Sequence, residues 1–187
     1  MALVFNLNPS EILSKSCIAR GLKTFDAVCN YIKALPYGRN SERSDFTLVL
    51  LENRGTCSTK HAFLKQIAIE NNIPDVMLCL GVYKMNEANT QGVGDVLNHY
   101  NLDYIPEAHT YLKINNTVID ITRSVTSENT FEDSLLSEEI IMPHQIGDYK
   151  VNCHKNYLKH WIKQYNIPYP FAELWKIREA CILALNQ

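Results

Sequence analysis

The sequence has no closely paired cysteines, no long apolar run and no excess of charge of either sign. Its six cysteines are widely spaced without a CxxC pair, which excludes a small disulfide-stapled secreted scaffold and favours free thiols in a reducing compartment. No segment approaches the ~20 apolar residues of a membrane span. Lys and Arg number 18 against 20 Asp and Glu, so no basic stripe is available for nucleic acid or anionic lipid. We therefore expect a cytoplasmic protein that binds neither nucleic acid nor membranes.

The 187 residues, 46% hydrophobic and 20% charged, predict a single domain over 1–187 with a substantial core. Helical spacing indicates a helix in "TFDAVCNYIKAL" with Thr24 as its cap, a second from Thr56 onward, and two more near residues 154–165 and 171–185. "DVMLCLGVYKM", "HTYLKI" and "TVIDIT" are typical of strands, whereas "DFTLVLLE" fits a strand or a helix equally well. A loop is expected over 124–137. This order of elements predicts an α+β fold with an antiparallel sheet.

The segment "HTYLKINNTVIDIT" predicts a β-hairpin whose two-residue turn is Asn115-Asn116, because Asn tolerates the positive φ of a type I′ turn. The resulting register pairs Ile114 with Thr117 and Leu112 with Ile119. Side chains alternate between the two faces, so an apolar face is formed by Leu112, Ile114, Ile119 and Ile121. His109, Tyr111 and Asp120 share the opposite face, where an imidazole and a carboxylate lie within reach of a hydrogen bond.

Cys57 lies in the first turn of the helix that Thr56 is predicted to cap. A helix N-terminus carries partial positive charge, which favours a thiolate over a thiol. A cysteine nucleophile also needs a base, and a carboxylate that holds the base in one tautomer. Cys57, His109 and Asp120 together supply these three groups. The ordinary role of a small buried hydrophobe fits four other cysteines, Cys17, Cys29, Cys79 and Cys181.

Two nearby side chains have competing interpretations. Asn53, just upstream of Cys57, could donate its amide to an oxyanion as part of the substrate site, or simply form a turn. His61 lies one helical turn after Cys57, as a pair of metal ligands would, but a structural zinc site needs four ligands and no companion pair is present. We predict neither a metal nor a cofactor.

The segments "RGTCSTKHAFLKQIAIENNIPDVMLCLGVY" and "AHTYLKINNTVIDIT" resemble the core of the transglutaminase-like superfamily, in which a Cys at a helix start is followed by a His on one strand and an Asp on the next. The resemblance covers about residues 24–123 and leaves about 154–187 as a C-terminal helical extension. It implies a papain-like α+β fold, in which the nucleophile helix packs on an antiparallel sheet. It also implies that Cys57 is the nucleophile, His109 the general acid and base, and Asp120 the group that orients His109.

The chain departs from this family at two positions. Tyr111 stands where many members have Trp, which places a different aromatic side chain at the expected substrate groove, and "DIT" replaces the common Asp-Pro-Thr. The resemblance implies a cysteine-dependent amide or ester hydrolase or acyl transferase, with a peptide or small amide as substrate. Acetyl transfer from a thioester cofactor uses a similar triad. A catalytically inactive binding or assembly module of the same fold is the alternative from another class, and the oligomeric state is left open.

Overall fold

The computed structural model describes residues 3–122 and 130–185, which form seven α-helices and a four-stranded antiparallel sheet of order β3-β2-β1-β4. The elements in chain order are α1 (Ile12–Ala19), α2 (Phe25–Ala34), α3 (Leu48–Glu52), α4 (Cys57–Glu70), β1 (Val76–Met85), α5 (Gly94–His99), β2 (Ile105–Ile114), β3 (Thr117–Ile119), β4 (Leu135–Ile141), α6 (Asp148–Gln164) and α7 (Phe171–Ala184). The predicted α+β class is confirmed. No helix within the described ranges is both long and apolar enough to cross a membrane.

The chain divides into two compact units. The first draws its described residues from Met1–Leu80, His109–Val125 and Glu139–Tyr149, and the second from Gly81–Ala108, Thr126–Glu138 and Lys150–Gln187. All residues of the predicted triad belong to the first unit. The single domain expected over 1–187, with its core at 24–123 and an extension at 154–187, stays a prediction.

Helix α4 lies at the centre of the first unit, where α1, α2, α3 and the 3-10 helix Pro143–Ile146 pack against it. The side chains of its first turns are buried on every side, and they include the polar residues Thr59, Lys60 and His61. A helix that is buried all round is expected at the centre of a core. Polar groups in such a position need internal hydrogen bonds, and those bonds form the site described below.

The hairpin has the register that the sequence predicts. Ile114 pairs with Thr117 and Leu112 with Ile119, across a turn in which Asn115 has φ 50° and Asn116 has φ 64°. Both values are those of the left-handed region that a type I′ turn requires. The predicted turn is therefore confirmed, and Asp120 follows directly after β3.

Other local predictions are confirmed in part. Thr24 caps α2 by accepting a hydrogen bond from the main-chain N–H of Ala27 at 3.2 Å, and both C-terminal helices are present, although α6 begins earlier than predicted. The ambiguous "DFTLVLLE" forms the short helix α3, since the Asp45 carboxylate accepts hydrogen bonds from the N–H and hydroxyl of Thr47 at the start of the run. Strand β4 begins inside the segment predicted as a loop, and residues 123–129 of that segment lie outside the described residues.

The second unit has its own apolar core and a buried ion pair between Glu107 and Arg178. The carboxylate of Glu107 accepts two hydrogen bonds from the guanidinium of Arg178, one of them from Nε at 2.7 Å. Burial would raise the pKa of Glu107, but Arg178 outweighs it and holds this pKa at about 2. The core around the pair is made by Tyr83, Met85, Val93, Leu97, Leu102, Ile105, Leu158, Trp161, Leu174, Ile177 and Cys181.

Candidate active site

A capping box fixes the start of α4 and places Cys57 at its first helical position. The hydroxyl of Thr56 accepts from the N–H of Thr59, and the hydroxyl of Thr59 accepts from the N–H of Thr56 at 3.0 Å. The predicted cap is therefore confirmed. The first N–H groups of a helix have no intrahelical acceptor, so they present partial positive charge beside the thiol.

Gly55 allows the turn before Cys57 to lie against the helix. A Cβ at this position would come within 2.9 Å of Lys60 Cγ and 3.0 Å of Thr59 Oγ1. The N–H of Gly55 donates to the carbonyl of Pro36 and its carbonyl accepts from the N–H of Gly38, each at 3.2 Å. Only a glycine gives the main chain this close approach without displacing its neighbours.

The His109 ring joins the other two members of the predicted triad. Its Nε2 lies 2.8 Å from Asp120 Oδ2, the bond expected from the hairpin register. A side-chain hydrogen bond also links His109 to Cys57. Because Asp120 engages Nε2, Nδ1 is the ring nitrogen left for the thiol. The structure thus brings together three side chains that the sequence places on separate elements.

The second oxygen of Asp120 is also engaged. Oδ1 accepts a hydrogen bond from the main-chain N–H of Thr122 at 2.9 Å and another from the Thr122 hydroxyl. With Oδ1 held by its own loop, the carboxylate presents Oδ2 to His109 in a fixed orientation. A base held in this way keeps a proton on Nε2, which leaves Nδ1 for Cys57.

The electrostatics of the pair favour a charged imidazole. Burial would lower the pKa of His109, but the Asp120 carboxylate, together with the contact to Cys57, raises it to about 10. Burial would likewise raise the pKa of Asp120, yet His109 and its other partners hold it well below the usual range of a carboxyl. Each group therefore stabilises the charged form of the other.

Tyr111 and Asn53, the two residues predicted to contact substrate, both make contacts within the protein. The Tyr111 ring is fully buried and stacks on His109, with the ring centroids 5.9 Å apart and the planes 21° from parallel. Asn53 ends α3 with φ 51°, and its side-chain oxygen accepts from the hydroxyl of Tyr31 at 3.1 Å. Tyr111 is thus placed against the candidate base, and Asn53 forms a turn. Their roles toward substrate stay predictions.

Two buried side chains of α4, Lys60 and His61, belong to the site in ways that the sequence analysis missed. Lys60 Nζ donates to the carbonyls of Leu35, at 2.6 Å, and Thr122, at 3.2 Å. His61 Nδ1 lies 2.7 Å from the carbonyl of Cys57, and its Nε2 accepts from the N–H of Ile121 at 2.9 Å. The available signal was a lysine and a histidine one turn after Cys57, in a helix whose other residues are largely apolar.

A metal ion has no evident place among these groups. Within residues 3–122 and 130–185, no group of three or more His, Cys, Asp or Glu side chains is arranged to hold one. His61, the histidine that its spacing from Cys57 made a possible ligand, instead directs both ring nitrogens at main-chain groups.

Three other thiols, those of Cys17, Cys29 and Cys181, contrast with Cys57 in their surroundings. Burial raises the pKa of Cys17 and of Cys29 to about 12, and that of Cys181 to about 11. These thiols are therefore expected to stay protonated and unreactive near neutral pH. Cys57 alone among these four lies at a helix start with a hydrogen bond to a histidine.

Comparison with protein-family models, with curated proteins and with solved structures found no match for this chain. The transglutaminase-like resemblance therefore depends on the motif residues themselves. The function has to be argued from the geometry of Cys57, His109 and Asp120.

Proposed function

We propose that this protein is a cysteine-dependent hydrolase or acyl transferase, which acts on an amide or ester carbonyl through a thioester on Cys57. The observation that carries the proposal is the continuous chain of hydrogen bonds from Cys57 through His109 to Asp120. Nucleophile, base and orienting carboxylate are the three groups that covalent acyl transfer requires. The resemblance to the transglutaminase-like superfamily independently assigns the same three residues the same roles.

The first half-reaction forms the thioester. The Cys57 thiolate attacks the carbonyl carbon, the π electrons move to oxygen, and a tetrahedral oxyanion forms. The main-chain N–H of Cys57, at the helix start, is the first candidate donor to this oxyanion. As the oxyanion collapses, the bond to the amine or alcohol breaks and protonated His109 gives its proton to that leaving group.

The second half-reaction regenerates the enzyme. Neutral His109 removes a proton from water or an amine, whose oxygen or nitrogen attacks the thioester carbonyl. The C–S bond then breaks, and the thiolate returns beside a protonated His109. Water gives a carboxylic acid, as in a peptidase or deamidase, and an amine gives a new amide. We favour hydrolysis, with a peptide or small amide as substrate, because transfer to an amine needs an acceptor site that the sequence does not reveal.

The pH dependence of Cys57 alkylation tests the proposal. Iodoacetamide reacts with thiolates, so the rate for an ordinary thiol falls roughly 75-fold between pH 8 and pH 6. A thiolate paired with imidazolium should instead react at a nearly constant rate over this range. Peptide mass spectrometry can follow each cysteine separately, with Cys17, Cys29 and Cys181 as internal controls.

Two variants sharpen this experiment. His109→Ala should restore the steep pH dependence at Cys57, whereas His154→Ala, which removes a buried histidine of the second unit, should not. Acylation by p-nitrophenyl acetate, detected as a hydroxylamine-sensitive adduct on Cys57, would then demonstrate the thioester. A steep alkylation profile in the wild-type protein, or no adduct, would support the inactive binding module instead.

A further inference from the structure

The hydrogen bonds of His61 define where its proton lies. A carbonyl oxygen can only accept, so His61 Nδ1 must donate to the carbonyl of Cys57 at 2.7 Å. A main-chain N–H can only donate, so Nε2 must accept from Ile121 at 2.9 Å. The ring therefore carries one proton, on Nδ1, and is neutral. Its complete burial agrees with this state, since burial lowers the pKa of His61 to about 4.

These two bonds connect the two ends of the candidate triad. One reaches the main chain of Cys57 itself, and the other reaches the residue immediately after Asp120. Lys60 reinforces the second connection, since its ammonium donates to the carbonyl of Thr122. The segment that carries Asp120 is thus tied to the same helical turn that carries the nucleophile.

We propose that His61 is a positioning residue, whose neutral ring fixes the main chain after Asp120 against the start of α4 and so directs the carboxylate at His109. The proposal rests on the proposed function. In this role His61 takes no proton from the substrate. The site requires an unprotonated Nε2 in His61, because this atom accepts the hydrogen bond from the main-chain N–H of Ile121.

The neutral state of His61 also decides which histidine forms an ion pair with Asp120. The Nε2 atom of His61 lies 3.6 Å from Asp120 Oδ1, near enough for an ion pair if the His61 ring were protonated. The charged groups that act on it are Asp120, which favours protonation, and His109 and Lys60, which oppose it. A proton on Nε2 would displace the N–H of Ile121. Because Ile121 occupies that position, His61 stays neutral and His109 is the histidine that forms the ion pair with Asp120.

Two polar substitutions separate the two hydrogen bonds of His61. In His61→Gln the side-chain amide reaches the former Nε2 position and can still accept from Ile121. In His61→Asn the shorter amide reaches only the Nδ1 position, so the bond to Ile121 is lost. We expect His61→Gln to keep the flat alkylation profile of Cys57, and His61→Asn to lose roughly 10- to 100-fold in rate at pH 6.

His154→Asn is the matched control. His154 is also a buried histidine, and its Nε2 donates to the carbonyl of Pro106 at 2.8 Å within the second unit. It should lower the melting temperature without changing the Cys57 profile. The proposal is overturned if His61→Asn keeps the wild-type profile, or if His61→Gln loses as much rate as His61→Asn.

Nitrogen NMR of the wild-type protein provides a test that needs no variant, so its result does not depend on whether the substituted chains fold. The 15N shifts of His61 should show a protonated Nδ1 and an unprotonated Nε2 from pH 6 to pH 8. An imidazolium, or a proton on Nε2, in this range contradicts the proposal. The two hypotheses also fail separately: a steep wild-type alkylation profile rejects the proposed function, whereas a flat profile that survives in His61→Asn rejects only the role of His61.

Discussion

Replacing Asp120 with Asn isolates the electrostatic contribution of one carboxylate to the base. The change keeps the size of the side chain and removes its charge. We place it in a Cys57→Ala background, because the thiol also raises the pKa of His109. The remaining difference between Cys57→Ala and the double variant then reports the interaction of Asp120 with His109.

The structure sets the magnitude. The pKa of His109 is raised from an ordinary 6.5 to about 10, a difference equivalent to about 5 kcal/mol in favour of the imidazolium. Only 13% of the His109 side chain is exposed, so solvent screens the pair little. Without the thiol we expect a pKa that is lower than in the wild-type protein but still raised above 6.5 by Asp120, and without Asp120 as well a pKa at or below 6.5, since burial then acts unopposed.

A histidine titration by 15N NMR measures both values, and the sign of the linked stability change provides a second measurement. Because folding raises the pKa of His109, its contribution to stability is complete below pH 6.5 and is lost as the pH rises through the folded-state pKa of the variant under study. The free energy of unfolding in urea should therefore fall over this range in Cys57→Ala and change less in Cys57→Ala/Asp120→Asn.

Asp26→Asn in the same background is the control, since this partly exposed carboxylate has Asn30 as its hydrogen-bond partner. It should leave the titration of His109 unchanged. The reasoning is refuted if His109 titrates at the same pH with and without Asp120, or if the control shifts it as much.

Three further predictions concern stability, each measured by urea unfolding. Arg178→Met should cost about 3 to 5 kcal/mol, because it leaves the Glu107 carboxylate buried without its cation; adding Glu107→Gln should recover part of the loss, and simple additivity would contradict this. Thr56→Ala should cost about 1 kcal/mol through the lost helix cap, whereas Thr56→Ser should retain most of it. Wild-type stability should fall by up to about 3 kcal/mol as the pH drops from 6.5 to 4, since His61 must take up a proton on unfolding; an equal fall in His61→Gln would exclude this cause.

Much of the candidate site follows from local sequence. Thr56 predicts a helix start because its hydroxyl needs only an N–H three residues away, and Cys57 is placed by that cap. The Asn115-Asn116 turn sets the hairpin register, and the register alone brings His109 and Asp120 to one face. Each of these inferences depends on residues that are neighbours in the chain or across a two-residue turn.

The α3 segment shows where such inference stops. "DFTLVLLE" has the composition of a buried strand or of a buried helix, and its apolar residues are satisfied by either. The choice was made by the hydrogen bonds of Thr47 to the Asp45 carboxylate at the start of the run and by packing of α3 against α4. The residues over 124–137 predict a loop and gave no sign of β4, which begins at Leu135. This strand pairs with β1, which is distant in sequence.

The sequence by itself therefore determined the position of Cys57 at a helix start, the hairpin and the pairing of His109 with Asp120, because short-range hydrogen bonds and side-chain alternation fix them. Only the tertiary structure decided that Cys57 meets His109, and that Lys60 and His61 bind the main chain of residues 121 and 122. These contacts join segments about 50 to 60 residues apart. Burial of the first turns of α4 on all sides directs the two polar side chains inward, where the main chain after Asp120 supplies their hydrogen-bond partners.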